Sequence, residues 1–313
     1  MSDQSCLYDK LVADLPLPKD ADDADDAPLV SFLTTLFDTE LSLLLPTLIP
    51  LLTNWHRKNL RTHLLTRASH AGPTSPITQT LTTLLLDASP STIPLRTTLI
   101  AGIIEDLPLR RLPPYRPTLA RIAAAPPPAD AEKRHLASTA TALLRLLAGE
   151  AWAPADKQDN VAIRALSAHA RSPEAMAPHV RDLLGWLEDV NWPPFRACAA
   201  QLARFPGAVV GEARRVLREE KDDDEWRRNV LRMVMTELPG EVREGFREDV
   251  VELLREIEGR VEAKGEGEDE WDLREEGREY LDLMDRWKGR ETVLGRVGWY
   301  WEPQEWLDED EAW

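Results

Sequence analysis

Leu183-Leu184-Gly185-Trp186-Leu187-Glu188-Asp189-Val190-Asn191-Trp192-Pro193 is the stretch on which the fold turns. Val180, Leu183, Leu184 and Leu187 fall at i, i+3, i+4 and i+7, one face of an amphipathic helix with Trp186 beside it. Asn191-Trp192-Pro193-Pro194 then ends that helix, because proline disfavours helical backbone in the residue before it and suits the first turn of the next helix. The same ending occurs earlier, in Leu51-Leu52-Thr53-Asn54-Trp55, and a Pro-started apolar run precedes each: Pro46 to Pro50 and Pro178 to Asp182. Further on, Arg96 to Pro108 matches Arg227 to Pro239, ending in Asp106-Leu107-Pro108 and Glu237-Leu238-Pro239. A long internal repeat sets the architecture before any local motif does. This one predicts two tandem helical units.

The rest of the second unit agrees. Asp156 and Asp159 stand where an N-cap is wanted, ahead of a helix over Val161–Arg171 with Ile163, Leu166 and Ala170 on one stripe. Ser172-Pro173 restarts the chain as cap plus first-turn proline. Phe195, Cys198, Ala199 and Leu202 stripe a third helix, and a fourth runs over Ala208–Glu220. Asp222-Asp223-Asp224 caps a fifth, where carboxylates favour the positive end of the helix dipole. A sixth, Val242–Ile257, and a seventh, Trp271–Trp287, flank the acidic linker Lys264 to Asp269. The first unit repeats the order over Leu29–Phe37, Leu41–Asn54, Arg57–Arg67, Ile77–Leu86, Leu95–Leu107, Pro117–Ala124 and Ala131–Leu147. Strand-like alternation is scarce. The prediction is all-α: an α-solenoid of HEAT-like or armadillo-type hairpins joined by short Pro/Gly turns, with a compact bundle as the alternative. The expected units span 18–148 and 152–288, with an N-terminal extension over 1–17 and an acidic, Trp-rich tail over 289–313.

The central stretch, with Asp156-Lys157-Gln158-Asp159 before it and Asp224-Glu225-Trp226 and Glu237-Leu238-Pro239 after it, resembles the short HEAT-like family known as domain of unknown function 5071. The resemblance covers 152–262. It implies a helical-repeat fold and brings no established activity and no catalytic residues. The first unit keeps Pro18-Lys19-Asp20, Asn54-Trp55 and Asp106-Leu107-Pro108 but has His56 in place of the proline after the tryptophan, so it reads as a diverged copy.

Composition narrows the function. Hydrophobic residues at 43% suffice for a core, and a formal net charge of −17 repels phosphate backbones at long range. That charge sits mostly beyond residue 150, suits a basic partner and also serves solubility. Cys6 and Cys198 share no motif, which favours a reducing compartment over a disulfide framework. The chain shows no basic-then-apolar leader, and the apolar run Leu43–Leu52 is interrupted by Pro46 and Pro50, so a soluble protein of the cytoplasm or nucleus without a membrane span is expected.

Candidate chemistry is sparse. His56, His63 and His70 lie at i, i+7 and i+14, too far apart along a helix to share one ion, and the acidic run Asp20–Asp26 lacks the grammar of a calcium loop. Nucleophile motifs and phosphate loops are missing, and Cys198 on an apolar face reads as a buried, inert thiol, so neither enzyme nor cofactor is expected. Trp186, Trp192 and Trp226 are candidates either for a partner groove or for plugs between helix pairs, with Asn191 capping the next helix. Trp152, in the connector between the units, reads as the pin joining them at a seam of Leu143, Leu146 and Leu147 against Ile163 and Leu166, or as an exposed contact. Trp299, Trp301 and Trp306 in the acidic tail either cap the last helices or dock on a partner. The expected role is a non-catalytic interaction or scaffold protein with a protein partner, a basic one for preference. The alternative is a nucleic-acid-directed enzyme resembling the HEAT-like alkylpurine DNA glycosylases, using Arg57, Lys58, Arg61, Arg110, Arg111, Arg116 and Arg121 as a basic patch.

Overall fold

The computed structural model describes residues 2–17, 26–54, 57–87, 89–125, 131–264 and 268–287. The fold is all-α, with no strand among the described residues. The chain divides into two compact units, Met1–Ala148 and Gly149–Trp313.

The first unit opens with helix α1 (Ser2–Asp14), which packs on α3. It continues through α2 (Ala27–Thr34), α3 (Asp38–Leu48), α4 (Lys58–His70), α5 (Pro76–Leu86), α6 (Ile93–Leu99), α7 (Arg116–Ala123) and α8 (Ala131–Leu147). Proline in the first turn, where a missing N–H costs nothing, opens α5 as its first residue and α2, α6 and α7 as their second. Inside α3, Pro46 does not break the helix; the chain tightens after it into a 3-10 turn, Ile49–Thr53. Leu41, Leu44, Leu45, Leu48 and Ile49 stay buried through that change. The expected helix over Leu95–Leu107 departs from α geometry: beyond α6 the segment Ile100–Ile104 is a π-turn, closed by the Glu105 amide donating to the Ile100 carbonyl at 2.9 Å. Arg61 supports it by donating to the Ala101 carbonyl and to Asp106.

In the second unit the elements are α9 (Asn160–His169), α10 (Pro173–Met176), α11 (Val180–Gly185), α12 (Phe195–Ala203), α13 (Pro206–Glu219), α14 (Asp224–Glu237), α15 (Gly240–Glu244), α16 (Arg247–Lys264) and α17 (Glu268–Trp287). Three expected caps are in place. Asp159 accepts from the Ala162 amide, Ser172 from Ala175 and Asp223 from Trp226. Each satisfies an amide that the first turn leaves without an intrahelical partner. The expected sixth helix is two, α15 and α16, parted at Gly245. Val180, Leu183, Leu184, Leu187, Phe195, Cys198 and Leu202 join Val216, Val230, Val234 and Leu238 in one continuous core that extends to Leu273 and Tyr280 of α17.

Candidate functional site

The turn between α11 and α12 is held by three side chains. From α14, the Trp226 indole N–H donates to the Leu184 carbonyl at 2.8 Å. One turn on, the buried Asn229 donates through Nδ2 to the carbonyls of Leu187 and Glu188, at 3.0 and 3.3 Å. Leu184 also accepts from the Leu187 amide, and Leu187 and Glu188 lie just beyond α11, so α14 braces the end of that helix in trans. From the N-terminal side, the Trp186 indole N–H reaches the Pro154 carbonyl at 2.9 Å and ties down the loop that leads into α9. Trp152 sits in that same loop, buried, with its indole donating to Asp159 Oδ2 at 3.0 Å; the other oxygen of Asp159 caps α9. The expectation that Trp152 pins two units together is not addressed by this bond, which lies within one unit.

Trp186, Trp226 and Trp152 thus spend their polar handles on their own backbone or on a cap, the usual arrangement for a buried indole. Trp192 differs. Its ring meets Trp186 edge to face, centroids 5.4 Å apart and planes at 74°, and Lys157 Nζ stands 4.7 Å from its centroid. Val190, two residues before it, is 45% exposed. Asn191 does not cap α12, as its type and place predicted; it donates from its backbone and from Nδ2 to Asp189 Oδ1, and Pro194 holds the N-cap position of α12. An Asx-type turn has taken the side chain instead, a local competition that asparagine enters readily.

Acid surrounds this turn. Glu188 is raised above the usual carboxylate range, first by partial burial and then by the charges of Asp223 and Glu220. Asp223 is engaged with the Trp226 amide and Glu220 with Arg215, whose guanidinium also lies over the Trp226 ring.

A second polar constellation escaped sequence reasoning. Arg227 is fully buried, donating from two nitrogens to Glu256 at 3.0 and 3.2 Å and from Nε to the Leu217 carbonyl. Asp224 lies between Arg227 and Arg260, and Lys221 reaches Glu256. Burial alone would push Glu256 up; the hydrogen bonds and charges of Arg227 and Lys221 win, and it lies below the usual value. The network joins α13, α14 and α16. The signal was present: Arg227 precedes Val230, Leu231 and Val234 at i−3, i−4 and i−7, a core position. Beside it an open polar cleft is lined by Arg228, Arg232, Asp272, Glu275, Glu276 and Glu279, and its two arginines are paired with Asp272 and Glu276.

Cys198 is buried with its thiol pushed up to about 12 by desolvation. His63 is lowered by burial and by Arg67, while His70 bonds the Thr66 carbonyl. Among the described residues no three His, Cys, Asp or Glu converge as a metal site. Trp55 and His56, and the tail tryptophans Trp299, Trp301 and Trp306, lie outside the described residues.

Residues 152–281 match the model of a family described as Domain of unknown function (DUF5071). The match begins at Trp152 and runs through the aromatic turn, the Glu237-Leu238-Pro239 helix end and most of α17, beyond the 152–262 stretch that carried the resemblance. No curated protein matches the chain. No helix among the described residues is long and apolar enough to cross a membrane.

Proposed function

We propose that this is a non-catalytic interaction protein whose second unit presents the Val190–Trp192 turn to a protein partner, a basic one. The observation that carries the proposal is the contrast at that turn. Its backbone is fixed by Trp226, Asn229 and Trp186, yet Val190 is exposed and Trp192 half-buried beside the acidic residues Glu188 and Asp189. A rigid apolar and aromatic contact loses little freedom on binding, so more of its contact energy is available as affinity. In this reading the helices form HEAT-like pairs in a solenoid and the first unit is a diverged duplicate. The neighbour-on-neighbour packing of α11 on α12 and α13, of α13 on α14 and α16, and of α14 and α16 on α17 supports that architecture. The tail tryptophans Trp299, Trp301 and Trp306 supply a second contact or an end cap, and the protein works in the cytoplasm or nucleus.

The rival reading, an enzyme resembling alkylpurine DNA glycosylases, draws on the basic residues of the first unit. Three of them are already committed: Arg57 is buried, Arg61 is paired with Asp106, and Arg111 donates to the Ser69 carbonyl. Photo-crosslinking from position 190 of the full-length protein in lysate of the source cell tests the proposal. A discrete protein adduct, lost when Trp192 is replaced by leucine, is the expected result. Crosslinking to nucleic acid, or salt-sensitive binding of duplex DNA, would favour the rival.

A further inference from the structure

The Trp192 ring, which Trp186 meets edge to face, already carries a cation. Lys157 sits in the exposed loop ahead of α9 and makes its ring contact from there, 4.7 Å from the Trp192 centroid. An ammonium within about 6 Å of an indole face is drawn by the ring quadrupole, and tryptophan is the strongest of the aromatic acceptors. At an exposed site the attraction is modest, so the lysine can be exchanged for another cation. Trp186, which packs edge to face on Trp192 at 74°, is itself tied down by its bond to the Pro154 carbonyl. Lys157 therefore occupies an aromatic face that accepts an ammonium.

We propose that the face of the Trp192 ring, with Trp186 packed edge to face against it, receives a lysine side chain from a basic segment of the partner protein, and that Lys157 holds that place in the free protein as a built-in competitor. The inference rests on the interaction reading above and adds to it the residue type recognised and the internal group displaced. It makes Lys157 an attenuator: removing it should strengthen binding, the opposite of what a contact residue would do.

The test uses the full-length protein and a capped Gly-Lys repeat peptide, with a Gly-Gln repeat as its neutral counterpart, followed by calorimetry and tryptophan fluorescence at physiological salt. The lysine peptide should bind, the glutamine peptide should not, Lys157→Ala should tighten binding about threefold, and Trp192→Leu should weaken it about tenfold or more. Trp192→Phe, with the same helical spectrum and melting point as wild type, should fall between. Since Trp192→Leu leaves the net charge unchanged, equal binding by that variant would show only general attraction to an acidic protein and would overturn the proposal. So would unaltered or weaker affinity in Lys157→Ala, or no binding of the lysine peptide at all. If crosslinking from position 190 still yields a partner while the peptide series fails, the interaction reading stands and the lysine reading falls.

Discussion

Arg227 of α14 and Glu256 of α16 form a two-point ion pair inside the second unit, with the arginine wholly out of solvent and the carboxylate less deeply covered. Leaving a buried guanidinium without its partner costs far more than replacing the pair together, because the desolvation penalty stays when the attraction goes. Glu256→Ala should cost about 3 kcal/mol of stability, the low end for such a break, since Asp224 and the Leu217 carbonyl still serve Arg227. The double change Arg227→Met with Glu256→Leu should recover most of it. Urea melts of the two variants check this, and a double variant less stable than the single would contradict it.

The same pair has a pH signature. The folded-state value of Glu256 is depressed, so its contribution is full above the unfolded value near 4.5 and is lost as pH falls through the depressed one. Stability of the wild type should therefore drop below about pH 4.5 more steeply than that of Glu256→Gln. Denaturant midpoints measured between neutral pH and pH 3 would show the two curves converging in acid.

Gly240 begins α15, and a methyl group placed there would stand 2.6 Å from the Trp287 ring. The obstacle is a flat, packed indole, so the helices must shift. Gly240→Ala should destabilise by about 1–3 kcal/mol despite alanine's better helix propensity, and Trp287→Leu should relieve much of that cost. Additive losses in the double variant would argue against the contact.

Asp26 caps a helix it does not belong to. Its buried carboxylate accepts from the Leu60 amide at 2.8 Å and from Asn59 Nδ2 at 2.7 Å, at the start of α4. Asp26→Ala removes both acceptors and should lower stability by about 1–2 kcal/mol, with faster amide exchange confined to the first turn of α4. Uniform exchange throughout the first unit would contradict a local capping role.

Thiol chemistry separates the two cysteines. Cys6 is exposed, while burial holds the Cys198 thiol up to about 12. An aromatic disulfide reagent at pH 8 should titrate one thiol rapidly in the native protein and the second only on denaturation.

How much was legible in the sequence divides along physical lines. Helix starts were readable where a short polar side chain caps its own helix, as with Asp159, Ser172 and Asp223, because that signal is local. Caps supplied in trans were not: nothing near Asp26 says that it will meet Leu60, and nothing near Asn229 points to Leu187. Helix ends were harder again. Pro46 was absorbed inside α3, ahead of a 3-10 turn, and the π-turn at Ile100–Ile104 arises in a run of apolar residues whose periodicity reads as ordinary helix. For the site, the tryptophans were visible as candidates, but which of them is a plug depends on indole bonds to Pro154, Leu184 and Asp159 that only the fold creates. Lys157 could not be linked to Trp192 from their spacing, since the two come together through loops on either side of α9, α10 and α11.

The central claim, that Trp192 is the one indole of this turn free to receive a partner's lysine while Trp152 and Trp226 are structural, is tested most directly by nitrogen-15 spectra of the indole N–H groups. Resonances would be assigned by single Trp→Phe replacements and followed as the Gly-Lys peptide is added. The account predicts a progressive, saturable shift of the Trp192 resonance, a smaller one for Trp186, and fixed positions with slow solvent exchange for Trp152 and Trp226. Unmoved Trp192 with shifts at Trp152 or Trp226 would contradict it.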